Sequence, residues 1–143
     1  MYRNILVPID LDEPASWHGA LSTTSTIAGC FSAKVTVCSV VSDVEAISKG
    51  EWLPISIEQR LFDVRARLEG LVASNDLGPS YGVEVASGTI SGGILEIAER
   101  IHADLIILAS HQPAARDYVL AANAIRVARR ANCSVLIARH GRA

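Results

Sequence analysis

The stretch ADLIILASHQPAARDYVLAANAIRVARRANCSVLIAR, residues 103–139, holds two short apolar runs on either side of an amphipathic segment. The runs that open and close it are rich in Leu, Ile and Val, and their length suits strands buried on both faces. The segment between them predicts a helix that starts at about Tyr118 or Ala121 and ends at Arg130. Together the three pieces predict a strand, a crossover helix and a parallel strand.

The same alternation continues towards the N-terminus. Further apolar runs at 4–10, 34–41 and 81–88 predict three more strands, and 103–110 and 134–139 are the fourth and fifth. Apolar residues between the runs recur at helical spacing and predict helices with one buried face. These stripes are Trp17, Leu21, Thr24 and Ala28; Ile57, Leu61, Val64, Leu68 and Leu71; and Ile94, Ile97, Ala98 and Ile101. The pattern predicts a doubly wound α/β fold, with a five-stranded parallel sheet of order 3-2-1-4-5 and helices on both faces.

Several element boundaries follow from local signals. Asp12 is the expected N-cap of the first helix, with Glu13 and Pro14 in its first turn, and Gly29 is the expected stop. Residues 42–56 show no clear period and predict a loop longer than the usual connection, and therefore either mobile or functional.

The composition limits the class of protein. The chain has 143 residues, half of them hydrophobic and a fifth charged, with a net charge of −2. We therefore expect one domain over residues 1–143, with a sizeable core and no nucleic-acid or membrane partner. The N-terminal apolar run is short and contains Pro8, unlike a signal peptide, so a cytoplasmic location is expected. The three cysteines, Cys30, Cys38 and Cys133, are expected to be buried reduced thiols.

A ligand crevice is predicted at the carboxyl ends of strands 1 and 4, where the strand order reverses. Residues 8–10 (PID) and 109–113 (ASHQP) end these strands, so two polar motifs meet in one crevice. A strand that leads through a loop into a helix N-terminus suits an anion. However, residues 109–130 contain no glycine, which such loops usually need.

The chain resembles the universal stress proteins over nearly its whole length. The resemblance is carried by MYRNILVPID followed by Glu-Pro-Ala, by AKVTVCSVV, by Gly88 with ILEIAERIHADLIILASH, and by NAIRVARRANCSVLIAR. It implies a stress-response domain that forms homodimers, often through the last strand, here residues 134–139. It also implies ATP or AMP in the crevice, with Mg²⁺ bound only through the nucleotide; an empty crevice is the alternative.

The family's phosphate motif, Gly-x2-Gly-x9-Gly-Ser/Thr, is degraded in this sequence. Its start corresponds to Ala109, followed by Ser110 and His111, and its end to the pair Ala121 and Ala122. The middle glycine would fall near Gln112 or Pro113, in a loop one residue shorter than usual. Lost glycines and a lost hydroxyl predict nucleotide binding weakened by roughly tens- to a thousand-fold.

The resemblance assigns the candidate binding residues to two sides of the crevice. The adenosine side is Pro8, Ile9, Asp10 and Val40. On the phosphate side we expect contacts, largely through backbone N–H groups, from Leu108, Ala109, Ser110, His111, Gln112, Pro113, Arg116, Ala121, Ala122, Asn123 and Ala124. Asp10 can equally cap the following turn, and Ser110 and His111 can equally be polar loop residues.

Three functions stay open at this point. The first is a universal stress protein that binds an adenine nucleotide with weakened affinity. The second is an interaction module of the same fold, with an empty or partly filled crevice, that works without a nucleotide through dimerisation and an unknown protein partner. The third is a slow nucleotide hydrolase, although the sequence has neither a G-x-x-x-x-G-K-[ST] loop nor a G-x-S-x-G elbow, and no base or nucleophile is identified. The histidine spacing does not match a metal site built from protein ligands.

Overall fold

The computed structural model describes residues 1–42, 54–78, 80–110 and 117–139. The strands are β1 (Asn4–Pro8), β2 (Lys34–Ser42), β3 (Tyr81–Gly88), β4 (Leu105–Ser110) and β5 (Ser134–Arg139). The helices of these ranges are α1 (Pro14–Phe31), α2 (Pro54–Ser74), α3 (Ile90–Arg100) and α4 (Asp117–Arg130). The strands form one parallel sheet of order β3-β2-β1-β4-β5, which confirms the predicted topology.

Two apolar clusters cover the two faces of the sheet. The first packs α1 and α2 against it and includes Trp17, Leu21 and Leu68. The second packs α3 and α4 against the other face and includes Ile97 and Val127. Because side chains alternate along a strand, each strand contributes to both clusters. The fold is therefore a sheet between two helical layers, as the sequence predicts.

The central strand β1 explains why its sequence is a continuous apolar run. Ile5 and Val7 enter the first cluster, whereas Leu6 enters the second, and all three are fully buried. Such a strand has no polar face, since helices cover both sides of a parallel sheet. Fully burying side chains of this size stabilises the fold by about 1.5–3 kcal/mol each.

The ends of α1 differ from the prediction. Its N-cap is Glu13, without a side-chain cap hydrogen bond, and Pro14 is in the first turn. Asp12 instead forms an ion pair with Arg67, in which Asp12 Oδ1 lies 3.5 Å from Arg67 Nη2. The helix also continues past Gly29 to Phe31 and ends at Ser32, so the predicted stop at Gly29 is wrong.

The long connection after β2 is shorter than predicted. β2 extends to Ser42, and α2 already begins at Pro54, which suits the first turn of a helix because proline needs no N–H partner there. Residues 43–53 lie outside the described residues. No helix within the described ranges combines the length and apolar character that a bilayer crossing requires.

The expectation that all three cysteines are buried is wrong. Cys30 is exposed on α1, Cys133 is half-buried, and Cys38 is buried. Burial, with a smaller contribution from the charge of Glu84, raises the pKa of Cys38 far above its ordinary value. Burial, followed by the charge of Asp104, also raises the pKa of Cys133. Neither thiol is activated towards the thiolate, which is the nucleophilic form.

Candidate nucleotide crevice

The sheet splits at its carboxyl edge between β1 and β4. Pairing of these two strands ends at Leu6 and Ile106, although both strands continue. On the outer sides, by contrast, β1 stays paired with β2 through Pro8 and Cys38, and β4 stays paired with β5 through Ser110 and Arg139. The two halves therefore separate at the point where the strand order reverses, which is where doubly wound sheets bind ligands.

Asp10 holds the turn that leaves the β1 side of this split. Its Oδ1 accepts a hydrogen bond from the Asp12 N–H at 3.0 Å, and its carbonyl accepts one from the Glu13 N–H at 3.1 Å. This arrangement is an Asx-type turn, in which a short acidic side chain stands in for a backbone carbonyl. The capping role that the sequence allowed is therefore present, and the carboxylate is exposed at the crevice edge.

The other residues of the β1 side contribute mainly backbone. The Ile9 N–H donates to the Cys38 carbonyl at 2.9 Å, which extends the β1–β2 pairing by one residue. The Ile9 side chain is only 7% exposed and belongs to the first cluster. Pro8 is half-buried at the end of β1. A ligand on this side would meet Asp10 and the main chain rather than the Ile9 side chain.

Val40 lies against the start of α3 rather than standing free in the crevice. A Cβ built on Gly93 would approach its Cγ1 and Cγ2 to 2.6 and 2.7 Å. The same helix is capped by Thr89, whose Oγ1 accepts from the Gly92 N–H at 3.2 Å. A Cβ on Gly92 would lie 2.5 Å from that Oγ1. The adjacent glycines thus bring the α3 N-terminus close to the end of β2, a role that the apolar spacing of the sequence does not reveal.

The β4 side of the crevice is the end of a strand that stays paired with β5. Leu108 is buried in the second cluster, Ala109 packs against the first, and Ser110 closes β4 opposite Arg139. The predicted contacts at His111, Gln112, Pro113 and Arg116 lie outside the described residues. The structure therefore fixes where this side of the crevice begins but does not describe its loop.

The N-terminus of α4 is at Asp117, one residue before Tyr118 and four before Ala121. The predicted start at about Tyr118 is therefore correct to within one residue, whereas the alternative start at Ala121, on which the proposed contacts of Ala121–Ala124 depended, is wrong. Only the N–H groups at the start of a helix lack an internal partner, and among the described residues of α4 these are residues 117–119. The amides of Ala121 and Ala122 lie further inside, Asn123 is buried, and Ala124 packs on the second cluster. Any anion at this helix would meet the amides of the first turn instead.

Ion sites are sparse in the described part of the chain. No group of three or more His, Cys, Asp or Glu residues within it could hold a metal ion. Arg126, Arg129 and Arg130 are exposed on α4, and the last two lie in its final turn. In that turn they complement the negative end of the helix dipole.

A cavity of about 490 Å³ lies at the opposite end of the sheet. It opens where α3 and α4 end and where β4 and β5 begin, and its polar residues Glu99, His102 and Arg130 are all exposed. Its position separates it from the β1–β4 split, so it plays no part in the candidate crevice.

Comparison with known proteins gives a consistent result. A model of the Universal stress protein family matches residues 1–139. Universal stress protein G of Escherichia coli O157:H7 is 26% identical over 153 residues, covering 97% of this chain and 100% of the relative. Universal stress protein UspA from Lactobacillus plantarum superposes with a TM-score of 0.70 at 22% identity, covering 96% of this chain and 98% of that one. A universal stress protein in complex with cAMP gives a TM-score of 0.61 at 19% identity, covering 98% of both chains.

The structural likenesses agree with the fold, and the family match runs from β1 to the end of β5. The residues that first suggested the resemblance therefore belong to one continuous match rather than to isolated motifs. From this match we conclude that the chain belongs to the universal stress protein family.

Proposed function

We propose that this protein binds an adenine nucleotide in the split between β1 and β4, with lower affinity than family members that keep the phosphate-loop glycines. The observation that carries the proposal is the end of β1–β4 pairing at Leu6 and Ile106 while both strands run on. An opening of this kind at the switch point gives a ligand access to backbone groups of two strands.

The roles on the adenosine side follow from the geometry. Asp10, oriented by its hydrogen bond from the Asp12 N–H, would accept from an adenine or ribose donor. The main chain of Pro8, Ile9 and Val40 would line the same pocket, because the Ile9 side chain is held in the core and the Val40 side chain lies against Gly93. Support for the ligand class comes from the related protein described in complex with cAMP.

The phosphate side is proposed to act through main-chain N–H groups. The candidate donors are the loop that follows Ser110 and the first turn of α4, with Arg116 as a cationic partner. Backbone donors survive the replacement of glycine by alanine, although close approach and positive φ do not. Mg²⁺ would enter only with the nucleotide, bridging its phosphates. Weak binding of ATP or AMP is the expected result.

Thermal shift with millimolar nucleotide tests the proposal. For a Kd of about 1 mM, 10 mM ATP with Mg²⁺ would stabilise the folded state by roughly 1.4 kcal/mol, a shift of a few degrees for a chain of this size. The same measurement with AMP and with cAMP shows which nucleotide stabilises the protein most. Sodium triphosphate is the control for ionic strength. No shift with any of the three nucleotides beyond that of triphosphate would contradict nucleotide binding.

Two matched variants locate the site. Asp10→Asn keeps the oxygen that accepts from the Asp12 N–H but removes the charge, so the nucleotide-dependent shift should fall by at least half. Asp12→Asn removes the same charge two residues away, where the side chain meets Arg67 on the surface, and should keep the full shift. Equal responses in the two variants would place the ligand elsewhere.

A second function is favoured by the apolar edge strand. β5 ends one side of the sheet, and its Ile137 side chain is 40% exposed. An edge of this kind tends to pair with another chain, so we also propose a homodimer through residues 134–139. If the protein is dimeric and shows no nucleotide shift, an interaction module that works without a nucleotide becomes the better description.

A further inference from the structure

The sheet has a second outer strand, β3, whose outer edge is contacted by a charged side chain. The Val35 N–H donates to the Ser80 carbonyl at 3.0 Å, so the main chain of Ser80 faces β2. Backbone groups alternate in direction along a strand, and the Val83 carbonyl, three residues later, must face away from β2. β3 is eight residues long, and an edge strand of this length is a ready template for pairing.

Arg65 covers that outward carbonyl. Its Nη1 donates to the Val83 oxygen at 3.4 Å, and its Nη2 lies 3.9 Å from Glu84 Oε2. The arginine comes from α2, which packs on the first-cluster face of the sheet. Its guanidinium therefore occupies the position that a pairing strand would need for its own N–H group.

The carboxylate of Glu84 attracts the Arg65 guanidinium across the outer edge of β3. Ala86, two residues along β3, packs in the second cluster, so Glu84 points to the face of α3. There Arg100 Nη1 lies 2.8 Å from Glu84 Oε2, and Arg100 Nη2 lies 3.1 Å from Glu96 Oε1. Because Arg65 starts on one face and Glu84 points to the other, their contact passes over the outer edge of β3.

We infer that the Arg65 side chain, held across the outer edge of β3 by Glu84, closes that edge to the β5 strand of another copy of this chain. Pairing of β5 from one copy with β3 of the next would be head-to-tail, and it would repeat into a filament unless the rotation between copies closes a ring. The apolar strand β5 makes such growth a hazard. A charged side chain laid over β3 prevents it and leaves β5 as the edge open to pairing.

The test compares Arg65→Ala with Arg67→Ala by sedimentation velocity and by hydrogen exchange of β3. Arg67 lies two residues along the same helix and pairs with Asp12, so its loss removes an equal charge without touching β3. Between ~10 and ~200 µM, Arg65→Ala should exceed the weight-average mass of the wild type at the same concentration by about twofold or more through head-to-tail pairing, whereas Arg67→Ala should match the wild type throughout. The outward amides of Val83 and Val85 should become protected in the growing species only.

The result that overturns the inference is an Arg65→Ala variant that matches Arg67→Ala in both measurements. Arg65→Gln keeps more of the side-chain stem and replaces the alanine variant if that one does not fold. If neither folds, Arg65 acts on stability and the inference fails. A monomeric wild type would remove the proposed β5 dimer but leave this comparison intact, and neither result depends on nucleotide binding.

Discussion

Ser32 terminates α1 by taking the left-handed conformation, with φ 52° and ψ 42°. The Ala33 N–H then reaches the Ala28 carbonyl at 3.0 Å, which satisfies one of the carbonyls left open at the helix end. A non-glycine residue in this region carries a steric cost of about 1 kcal/mol because its Cβ approaches the following carbonyl. The helix ends here for tertiary reasons, since Ala33 is buried in the first cluster and must leave the helix axis.

Ser32→Gly should therefore stabilise the protein by about 0.5–1 kcal/mol, because glycine tolerates positive φ. The increase should appear as a higher midpoint in urea denaturation with an unchanged slope. Ser22→Gly is the control, since Ser22 is exposed within α1 and glycine there should cost about 1 kcal/mol. A loss of stability in Ser32→Gly would show that the serine makes a compensating contact.

At the scale of the elements, apolar spacing predicted which faces are buried. Trp17, Leu21, Thr24 and Ala28 were placed on one helical face, and all four are buried. Thr24 fits because its hydroxyl donates to the Ala20 carbonyl at 2.6 Å. The helix ends were harder to predict, because spacing does not reveal that Ser32 takes a left-handed turn, and it does not decide between Tyr118 and Ala121 for the start of α4. Nor does it reveal where two neighbouring strands stop pairing, which is what opens the crevice.

The close contact between Gly93 of α3 and Val40 of β2 predicts how substitutions at Gly93 change the stability of the fold. Gly93→Ala would drive a methyl group into Val40, so it should destabilise the fold by about 1–3 kcal/mol. Gly70→Ala, in exposed α2 with nothing within 4 Å of the added Cβ, should stabilise it by about 0.5–1 kcal/mol. Chemical denaturation of both variants gives the comparison.

The double variant Gly93→Ala with Val40→Ala makes that test specific. Shortening Val40 removes the two Cγ atoms that the new methyl would meet and leaves the Val40 Cβ at 3.2 Å, so the cost of Gly93→Ala should fall by at least half in that background. An unchanged cost would assign the effect to the helix start rather than to the contact with β2. Such a result would also remove the packing argument for the position of Val40 in the crevice.

For the whole molecule, the two outer strands of the sheet differ in the side chains at their outer edges. β3 carries the half-buried Glu84 and is crossed by Arg65, while β5 has the sequence SVLIAR with Ile137 40% exposed. One protected edge and one apolar edge favour an assembly that stops at two copies, because β5 paired with its own copy leaves only protected β3 edges outside. The sequence predicted the apolar edge but not the protected one, which depends on an arginine from another element.

The dimer is tested at Ile137. A lysine there places a charge on the face of the edge strand, so Ile137→Lys should raise the dissociation constant of the homodimer by roughly tenfold or more, in line with the use of lysine to block strand edges. Phe62→Lys is the control, since Phe62 is 70% exposed on α2, far along the sheet from β5, and should leave the dimer intact. Sedimentation equilibrium over a dilution series measures both. If the wild type is monomeric throughout, or if both lysines weaken association equally, the copies do not meet through β5, and the apolar edge must be covered in some other way.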